Sequence, residues 1–285
     1  MAETRIANVR VLKPSLAHEA RAALVVWERE MIRFSRDRTR VFAQMVQPLL
    51  FLFVLGGGLG SLVSHGTGGL DFRTFLFPGV LSMSVLFTAS FSGISMVWDR
   101  EFGFLREMLV APVSTASIVL GKCLGGATVA TIQSIVVLVL AGLVGVPYDL
   151  LMMAQVLLLL FLMAFMITAL GLLLSARVKQ VQSAMPLVQL IITPLMFLSG
   201  ALFPLSNLPP WLTVVTHLTP MTYAVEPVRH VVFERLQMSD AARATLDPGV
   251  WWGSFAVPVW LQIVVVLVAS AGLLTAAVGF FSRTE

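Results

Sequence analysis

The sequence predicts an all-α integral membrane protein, and three observations support this fold class. Only 12% of the 285 residues are charged, about half of the ~25% that soluble domains carry. Hydrophobic residues make up 58% of the chain, and many lie in apolar runs of about 20 residues or more, the length at which a helix crosses a bilayer. The short alternating segments typical of a transmembrane β-barrel do not occur.

Six apolar runs are long enough to cross ~30 Å of hydrocarbon as helices. The predicted spans cover residues 41–63, 74–97, 117–145, 150–174, 184–203 and 255–281. The whole chain, 1–285, is predicted to form one transmembrane domain, and no internal sequence repeat is evident. An even number of spans places both termini on the same side of the membrane.

The basic residues predict which side the termini occupy. All but four of the 19 lysines and arginines lie in residues 1–40, 98–122, 175–183 and the C-terminal tail. Segments rich in lysine and arginine stay in the cytoplasm according to the positive-inside rule. We therefore predict that both termini, loop 98–116 and loop 175–183 are cytoplasmic. The basic excess is then a topology signal, and no nucleic acid is expected as a partner.

Residues 15–38 precede the first span and have the pattern of an amphipathic helix. Apolar side chains recur at helical spacing at Leu16, Ala20, Ala23, Leu24, Trp27, Met31 and Phe34. Most of the charged residues fall elsewhere on the helical wheel. This pattern predicts a helix at the cytoplasmic lipid interface, with Trp27 at headgroup depth. A solvated helix in a small cytoplasmic cap is the alternative.

The segment 204–254 lies between the last two spans, on the outside in this topology. Prolines interrupt PLSNLPPWL, and the apolar stretch that follows is too short to cross the membrane. Irregular backbone is tolerated at membrane depth only where protein surrounds it. We predict a pair of short helices that re-enter the membrane from outside, with Trp211, Trp251 and Trp252 at the outer interface.

The chain lacks the residues that membrane enzymes and ion-coupled transporters need. Ionisable residues are nearly absent from the spans, so no proton or ion relay is predicted. No nucleophile lies beside a base in a known motif, and no GxxxxGK[ST] sequence is present to hold a nucleotide. The single cysteine, Cys123, fits no metal-site spacing. We therefore expect no catalytic, metal-binding or cofactor-binding residue in this chain.

Neutral polar residues recur on one face of two spans. In the second span they are Ser84, Thr88 and Ser92, and in the fifth they are Gln189 and Thr193. Small and hydroxyl-bearing residues commonly serve helix packing in membranes. A weakly polar lining for an amphiphilic substrate is the alternative, and the sequence leaves both interpretations open.

The stretch WDREFGFLREMLVA, residues 98–111, places charges among large apolar side chains. The apolar residues at helical spacing are Phe102, Phe104, Leu105, Met108 and Leu109. They cover more than one side of a helix, which is more than lipid contact alone would use. A short helix with apolar anchors and a charged rim suits a groove on a cytoplasmic partner. An ordinary interfacial loop is the alternative.

Two blocks of sequence carry a resemblance to a known family. The first is REFGFLREMLVAPVS, 100–114, followed by IVLGK, 118–122. The second is FPLSNLPPWL, 203–212, followed by LTPMTYAVEPVRHVVF, 218–233. Together they resemble the ABC type-2 exporter permeases, in particular the branch that includes daunorubicin-resistance and nodulation-factor export permeases. The Asn-Pro-Leu-Thr-Tyr pattern common in that family reads TPMTY in this chain.

The resemblance implies one half of the membrane part of a transporter. Two permeases, as a homodimer or with a sibling chain, would assemble with two copies of an ABC ATPase subunit among the lipids of the bacterial cytoplasmic membrane. ATP and magnesium would bind to the ATPase, and this chain would bind no cofactor. The implied fold has six transmembrane helices, an N-terminal amphipathic interface helix, a cytoplasmic coupling helix at 98–111 and outer re-entrant helices.

The resemblance also implies roles for individual residues. The residues implied to couple the chain to the ATPase are Asp99, Glu101, Phe102, Phe104, Leu105, Arg106, Glu107 and Leu109. The residues implied to form an outer gate are Pro220, Tyr223, Glu226 and Arg229. Family members move substrate along the first, second and fifth spans, where the polar faces described above would line the path.

The predicted function is that of a permease subunit of an ATP-driven exporter. A charge-poor pathway favours an amphiphilic drug, antibiotic or lipid as the substrate. Export of a lipid-linked glycan or polysaccharide is an alternative, although only two tyrosines are present to line a sugar path. A membrane subunit that docks an ATPase without transporting, and a membrane enzyme, are further alternatives.

Overall fold

A computed structural model describes residues 15–63, 71–110, 113–203, 209–236, 243, 246–247 and 249–284. Its long and short helices, in chain order, are α1 Leu16–Arg36, α2 Arg38–Leu50, α3 Gly56–Val63, α4 Phe72–Gly93, α5 Ser95–Glu101, α6 Phe104–Val110, α7 Thr115–Val139, α8 Leu150–Ser175, α9 Val181–Leu198, α10 Pro210–Leu218, α11 Pro220–Glu234 and α12 Val259–Thr284. A π-helical turn, Phe51–Leu55, joins α2 to α3, and a 3₁₀ turn, Leu140–Val144, extends α7. Two strands, β1 Trp251–Trp252 and β2 Phe255–Ala256, form an antiparallel hairpin.

Within the described residues, six helical stretches are long and apolar enough to cross a membrane, which confirms the predicted all-α membrane fold. They cover Arg38–Gly58, Phe72–Glu101, Thr115–Val144, Leu150–Ser175, Val181–Leu198 and Val259–Arg283. The second span ends at Glu101 rather than at 97, because α5 continues α4 beyond a turn at Ile94. The sixth begins at Val259 rather than at 255, because the hairpin occupies the preceding residues.

Helix α4 is the centre of the bundle, and nearly all of its side chains are buried against α7, α8 and α11. Glycines allow the backbones to approach. A Cβ atom on Gly93 would lie 2.5 Å from the Cα atom of Gly171 in α8. A Cβ atom on Gly79 would lie 1.7 Å from the carbonyl oxygen of Ala201. Small residues at helix contacts are the usual means of close packing in membranes.

Helix α1 packs along the first half of α7. The C-terminal end of α12 lies at the same end of the bundle, which we call the terminal end. Gly121 and Gly125 of α7 face α1. A Cβ atom on Gly121 would lie 2.5 Å from the carbonyl oxygen of Ala23, and one on Gly125 would lie 2.7 Å from the Cβ atom of Glu30. The indole of Trp27 donates a hydrogen bond of 3.0 Å to a threonine of α7. The predicted amphipathic helix is present, and protein covers one of its faces.

Helices α10 and α11 lie at the opposite end of the bundle. Helix α11 packs against α4, α8 and α12. Its first residues, Pro220 and Met221, line an apolar cavity of about 480 Å³ together with Ile167 of α8, Leu195 of α9 and Gly272 of α12. The start of α11 and the central part of α12 therefore line the same cavity, and re-entry into the membrane stays a prediction.

Candidate coupling site

The coupling segment, residues 95–110, forms two short helices rather than the single helix predicted for 98–111. Helix α5 continues the second span to Glu101. The chain then turns at Gly103, whose φ of +82° is a conformation that glycine adopts without the steric cost of a Cβ atom. Helix α6 begins at Phe104 in a new direction. Residues before and after Gly103 therefore do not share one helical face.

The exposed apolar side chains of this segment form the docking surface, which consists of Trp98, Phe102, Phe104 and Val110 at 37, 61, 48 and 86% exposure. The rings of Trp98 and Phe102 stack with centroids 5.6 Å apart. The guanidinium of Arg29 lies 5.5 Å from the ring centroid of Phe104. Exposed aromatic side chains at the end of a span suit either contact with a partner or the lipid interface.

Two residues of the implied coupling set, Asp99 and Leu105, are buried, and the structure corrects their placement. The side chain of Asp99 is fully buried among basic residues of α1 and α7. Leu105 is 1% exposed and packs in a second apolar cluster formed with residues of α7, α8 and α12. Neither side chain is accessible to a partner in this structure, because the turn at Gly103 directs Leu105 into the bundle.

Glu101 is exposed, but it also has a partner within the chain. Its carboxylate accepts a hydrogen bond of 2.8 Å from the backbone N–H of Val181, the first residue of α9. The neighbouring Arg100 donates to the carbonyl oxygens of Ala176 and Val178, at 3.0 and 2.8 Å. These bonds satisfy backbone groups that helix ends leave free. They attach the coupling segment to the loop between α8 and α9.

The other three implied coupling residues are all in α6. Glu107 is exposed beside the docking surface. The side chains of Arg106 and Leu109 lie outside the described part of the chain. The charged rim expected around the aromatic anchors is therefore represented by Glu101 and Glu107.

An ion cluster that sequence reasoning missed lies directly beneath the docking surface. Its members are Arg29, Glu30 and Arg33 of α1, Asp99 of α5 and Lys122 of α7. The ammonium of Lys122 lies 2.5 Å from the Asp99 carboxylate and 2.9 Å from that of Glu30. Arg29 also donates to Asp99, and Arg33 lies 3.7 Å from it. The cluster brings together three elements that are distant in the sequence.

Two signals in the sequence point to this cluster. Glu30 follows Ala23 and Val26 at the spacing of one helical face, so it lies on the buried stripe of α1 rather than on its charged side. Asp99 ends one membrane span and Lys122 begins the next. Consecutive antiparallel helices place such ends side by side.

The two polar faces differ in their exposure. Ser84, Thr88 and Ser92 are buried inside the chain. The hydroxyls of Ser84 and Ser92 donate to backbone carbonyl oxygens of their own helix, at 2.8 and 3.0 Å, and the buried Thr88 hydroxyl has no hydrogen-bond partner among the described residues. Gln189 is exposed, and its amide donates to the Thr193 hydroxyl at 2.8 Å. Only the face on α9 is open to a partner or a substrate.

The implied gate residues lie on α11 and are buried, apart from Pro220, which is partly exposed. The guanidinium of Arg229 lies 3.4 Å from the Glu226 carboxylate and 5.9 Å from the ring centroid of Phe75 in α4. It also donates to the carbonyl oxygen of Gly200, after α9. Arg229 thus joins α11 to the second and fifth spans.

Tyr223 joins α11 to its surroundings at the same end of the bundle. Its hydroxyl donates to the carbonyl oxygen of His217 at 2.8 Å and accepts from the indole N–H of Trp252 at 2.7 Å. The hairpin and α10 are therefore both fixed to α11. The described residues contain no group of histidine, cysteine or acidic side chains able to hold a metal ion.

Near the C-terminal end of α11, the His230 side chain contacts two carboxylates. His230 Nδ1 lies 2.9 Å from the Asp247 carboxylate, and Nε2 lies 3.3 Å from that of Glu234. The hydrogen bond to Asp247 is the main cause of a raised pKa at His230, against a smaller opposing effect of burial. The nearby Glu226 carboxylate also raises it.

The raised pKa of His230 predicts a stability that declines with pH. Because the native pKa lies above the unfolded value, the contribution is present in full below about pH 6.5 and is lost as pH rises through the native pKa. The thermal unfolding midpoint of the wild type should therefore fall relative to that of His230→Gln as pH is raised from mildly acidic to alkaline. If the unfolding midpoints of the two proteins changed with pH in parallel, the contacts of His230 would contribute nothing to the pH dependence of stability.

Comparison with known proteins finds relatives over most of the chain. The family model described as ABC-2 type transporter matches residues 21–233. The transport permease ycf38 of Porphyra purpurea is 30% identical over 207 residues, which are 72% of this chain and 71% of that protein. Nodulation protein J of Rhizobium leguminosarum bv. trifolii is 29% identical over 213 residues, 73% and 80% of the two chains. The inner membrane transport permease YadH of Escherichia coli (strain K12) is 29% identical over 207 residues, 72% and 80% of the two chains.

Proposed function

The chain belongs to the ABC-2 type transporter family, and from that premise we propose that it exports an amphiphilic substrate across the bacterial cytoplasmic membrane with energy from a separate ABC ATPase subunit. Membership of the family confirms the resemblance found in the sequence. The chain is a multi-pass membrane protein and a transmembrane subunit of a transporter. The observation that carries the proposal is the docking surface, where aromatic side chains are exposed at the end of the second span.

The proposed ATPase contact is formed by the docking surface with Glu101 and Glu107 at its edge. Interfaces commonly combine a buried aromatic core with a polar rim. ATP and magnesium are proposed to bind to the ATPase. Closure of the ATPase around nucleotide would displace the coupling segment, and α5 would transmit that displacement to the second span because the two are continuous.

A pair of permeases with two ATPase subunits is the proposed assembly, with either a second copy or a sibling chain as the partner. Most residues of the first, fifth and sixth spans are not buried within the single chain. On the fifth span, the exposed face includes the Gln189–Thr193 hydrogen bond. Polar side chains are unfavourable against lipid and are more stable against protein or in a pathway. We propose that this face lies towards the second permease, along the substrate path.

The proposed orientation places the terminal end of the bundle in the cytoplasm, in accord with the distribution of basic residues. Ser254→Cys, in the exposed turn of the hairpin, should react with a membrane-impermeant thiol reagent added outside sealed cells. Ser282→Cys, exposed near the C-terminal end of α12, is the control and should react only after the membrane is opened. Both are made with Cys123→Ala. The reverse pattern would contradict the orientation.

The proposed substrate is an amphiphilic drug, antibiotic or lipid. The apolar cavity beside α11 and the weakly polar face of α9 suit a molecule with apolar and uncharged polar parts. A glycan exporter of the same architecture is the alternative. ATP hydrolysis by the complex in proteoliposomes should rise with amphiphilic drugs or lipids. Stimulation by lipid-linked glycans alone would favour the alternative, and no stimulation by any of them would favour a subunit that docks an ATPase without transporting.

A further inference from the structure

The ion cluster connects the docking surface to two other helices. Asp99 is its centre, because bases from two elements surround its carboxylate: Arg29 and Arg33 from α1, and Lys122 from α7. Lys122 in turn contacts Glu30 of α1 at 2.9 Å. Each of the three helices therefore forms an ion pair with both of the others.

The centre of the ion cluster is buried. The side chains of Asp99 and Lys122 are 0 and 1% exposed. Removing charges from water is costly, so a buried ion cluster adds little stability compared with apolar residues of the same size. Directional contacts of this kind suit a role in specifying one relative arrangement of the helices that carry them. Gly121 and Gly125 allow the close approach of α1 and α7 that this arrangement requires.

The cluster also has a direct contact with the docking surface. Arg29 donates to Asp99, and its guanidinium also lies over the ring of Phe104. Helix α1 is followed, after the single residue Asp37, by the helix of the first span. A displacement of Phe104 can therefore reach the first span through α1 as well as the second span through α5.

We propose that Asp99 is a positioning residue that locks α1, α5 and α7 into one rigid body, so that a displacement of the docking surface moves the first three spans together. The inference rests on the proposed function, because the ATPase supplies the displacement. Without Asp99, the coupling segment would move the second span alone, and α1 would not follow it.

The variant Asp99→Asn tests this role with little harm to the fold. It keeps the shape of the side chain and removes its charge. Lys122 retains the Glu30 carboxylate, so no buried charge loses its only partner. Arg29 and Arg33 are about one-third exposed and can be solvated. Since Asp99 is buried beneath the docking surface, we expect the ATPase to co-purify as with the wild type.

The measurement is hydrogen exchange, followed by mass spectrometry, on the complex without nucleotide and trapped with ADP and vanadate. In the wild type, trapping should change exchange both in α6, Phe104–Val110, and in α1, Leu16–Arg36. In Asp99→Asn the change in α6 should persist, and the change in α1 should shrink about fivefold or more, the size of a typical coupling between sites. A residue with a merely structural role would alter exchange in both nucleotide states and leave the difference between them intact.

Glu28→Gln is the matched control, since it makes the same change at an exposed position of α1, and its response should equal that of the wild type. A wild-type response of α1 in Asp99→Asn, or loss of the ATPase from that variant, would overturn the proposal. If Asp99→Asn does not fold, the triple variant Arg29→Gln, Glu30→Gln and Arg33→Gln replaces it, because it removes every charge that α1 brings to the cluster and leaves Asp99 paired with Lys122. An undiminished α1 response there would count equally against the rigid body. Failure of the wild type to bind an ATPase would instead refute the proposed function.

Discussion

Replacing Phe102 and Phe104 together by aspartate is expected to lower the recovery of the ABC ATPase with this chain by about tenfold or more. Both rings are exposed at the coupling segment and are available as anchors for a groove. The substitutions remove the apolar contacts and place two carboxylates in an interface that would have to desolvate them. The measurement is the amount of tagged ABC ATPase that is recovered with the purified permease.

The fold of the permease should not change in this variant, because neither ring belongs to the apolar core. Ala17→Asp with Ser35→Asp is the matched control. It introduces the same two charges at exposed positions of α1 that carry no large apolar side chain, and recovery of the ATPase should be unchanged. Equal recovery with the Phe102 and Phe104 variant would refute the docking surface. Glu101→Arg is a poorer test, because Glu101 also caps α9.

The number and length of the membrane spans could be predicted from the sequence because the bilayer imposes them. A helix must satisfy all of its backbone hydrogen bonds within lipid, so run length and apolar composition define it. The ends of spans were less predictable. Glu101 extends the second span because α5 resumes the helix after Ile94, and the apolar pattern gives no sign of that continuation.

In the coupling segment, helical periodicity predicted the wrong surface for some side chains. The spacing of Phe102 and Leu105 predicts one shared face only if a single helix runs through both residues. Gly103 interrupts that helix with a positive φ. The helical periodicity therefore begins anew at α6, and Leu105 points into the core. The aromatic residues were predicted to be anchors, and in the structure they are exposed. Asp99 was assigned to the same surface and instead lies within the ion cluster.

Other parts of the site depend on contacts between distant residues, which a single sequence does not encode directly. The close approach of α1 to Gly121 and Gly125 is one case, because a GxxxG spacing is common in apolar helices whether or not a helix packs there. The polar face of Ser84, Thr88 and Ser92 is another. Hydroxyl groups at helical spacing suit packing and a polar lining equally, and burial of the whole helix favours packing in this chain.

The second large effect is expected at Arg229, where Arg229→Met should lower the free energy of unfolding by about 3–5 kcal/mol. Arg229 is 1% exposed. It is paired with Glu226, and it donates to the Gly200 carbonyl oxygen. Methionine fills similar space but leaves a carboxylate and a carbonyl oxygen buried without their donor. The thermal unfolding midpoint and the folded yield in detergent would report the loss.

Two further variants separate the charge effect from a general sensitivity of this end of the bundle. Arg235→Met removes an ion pair with Asp149 in which both side chains are about one-third exposed, and its cost should be at most about 1 kcal/mol. Glu226→Leu combined with Arg229→Met removes both buried charges and should recover part of the stability, although the Gly200 carbonyl oxygen still lacks its donor. If Arg229→Met were no more harmful than Arg235→Met, Arg229 would not be the group that holds α11 to the second and fifth spans.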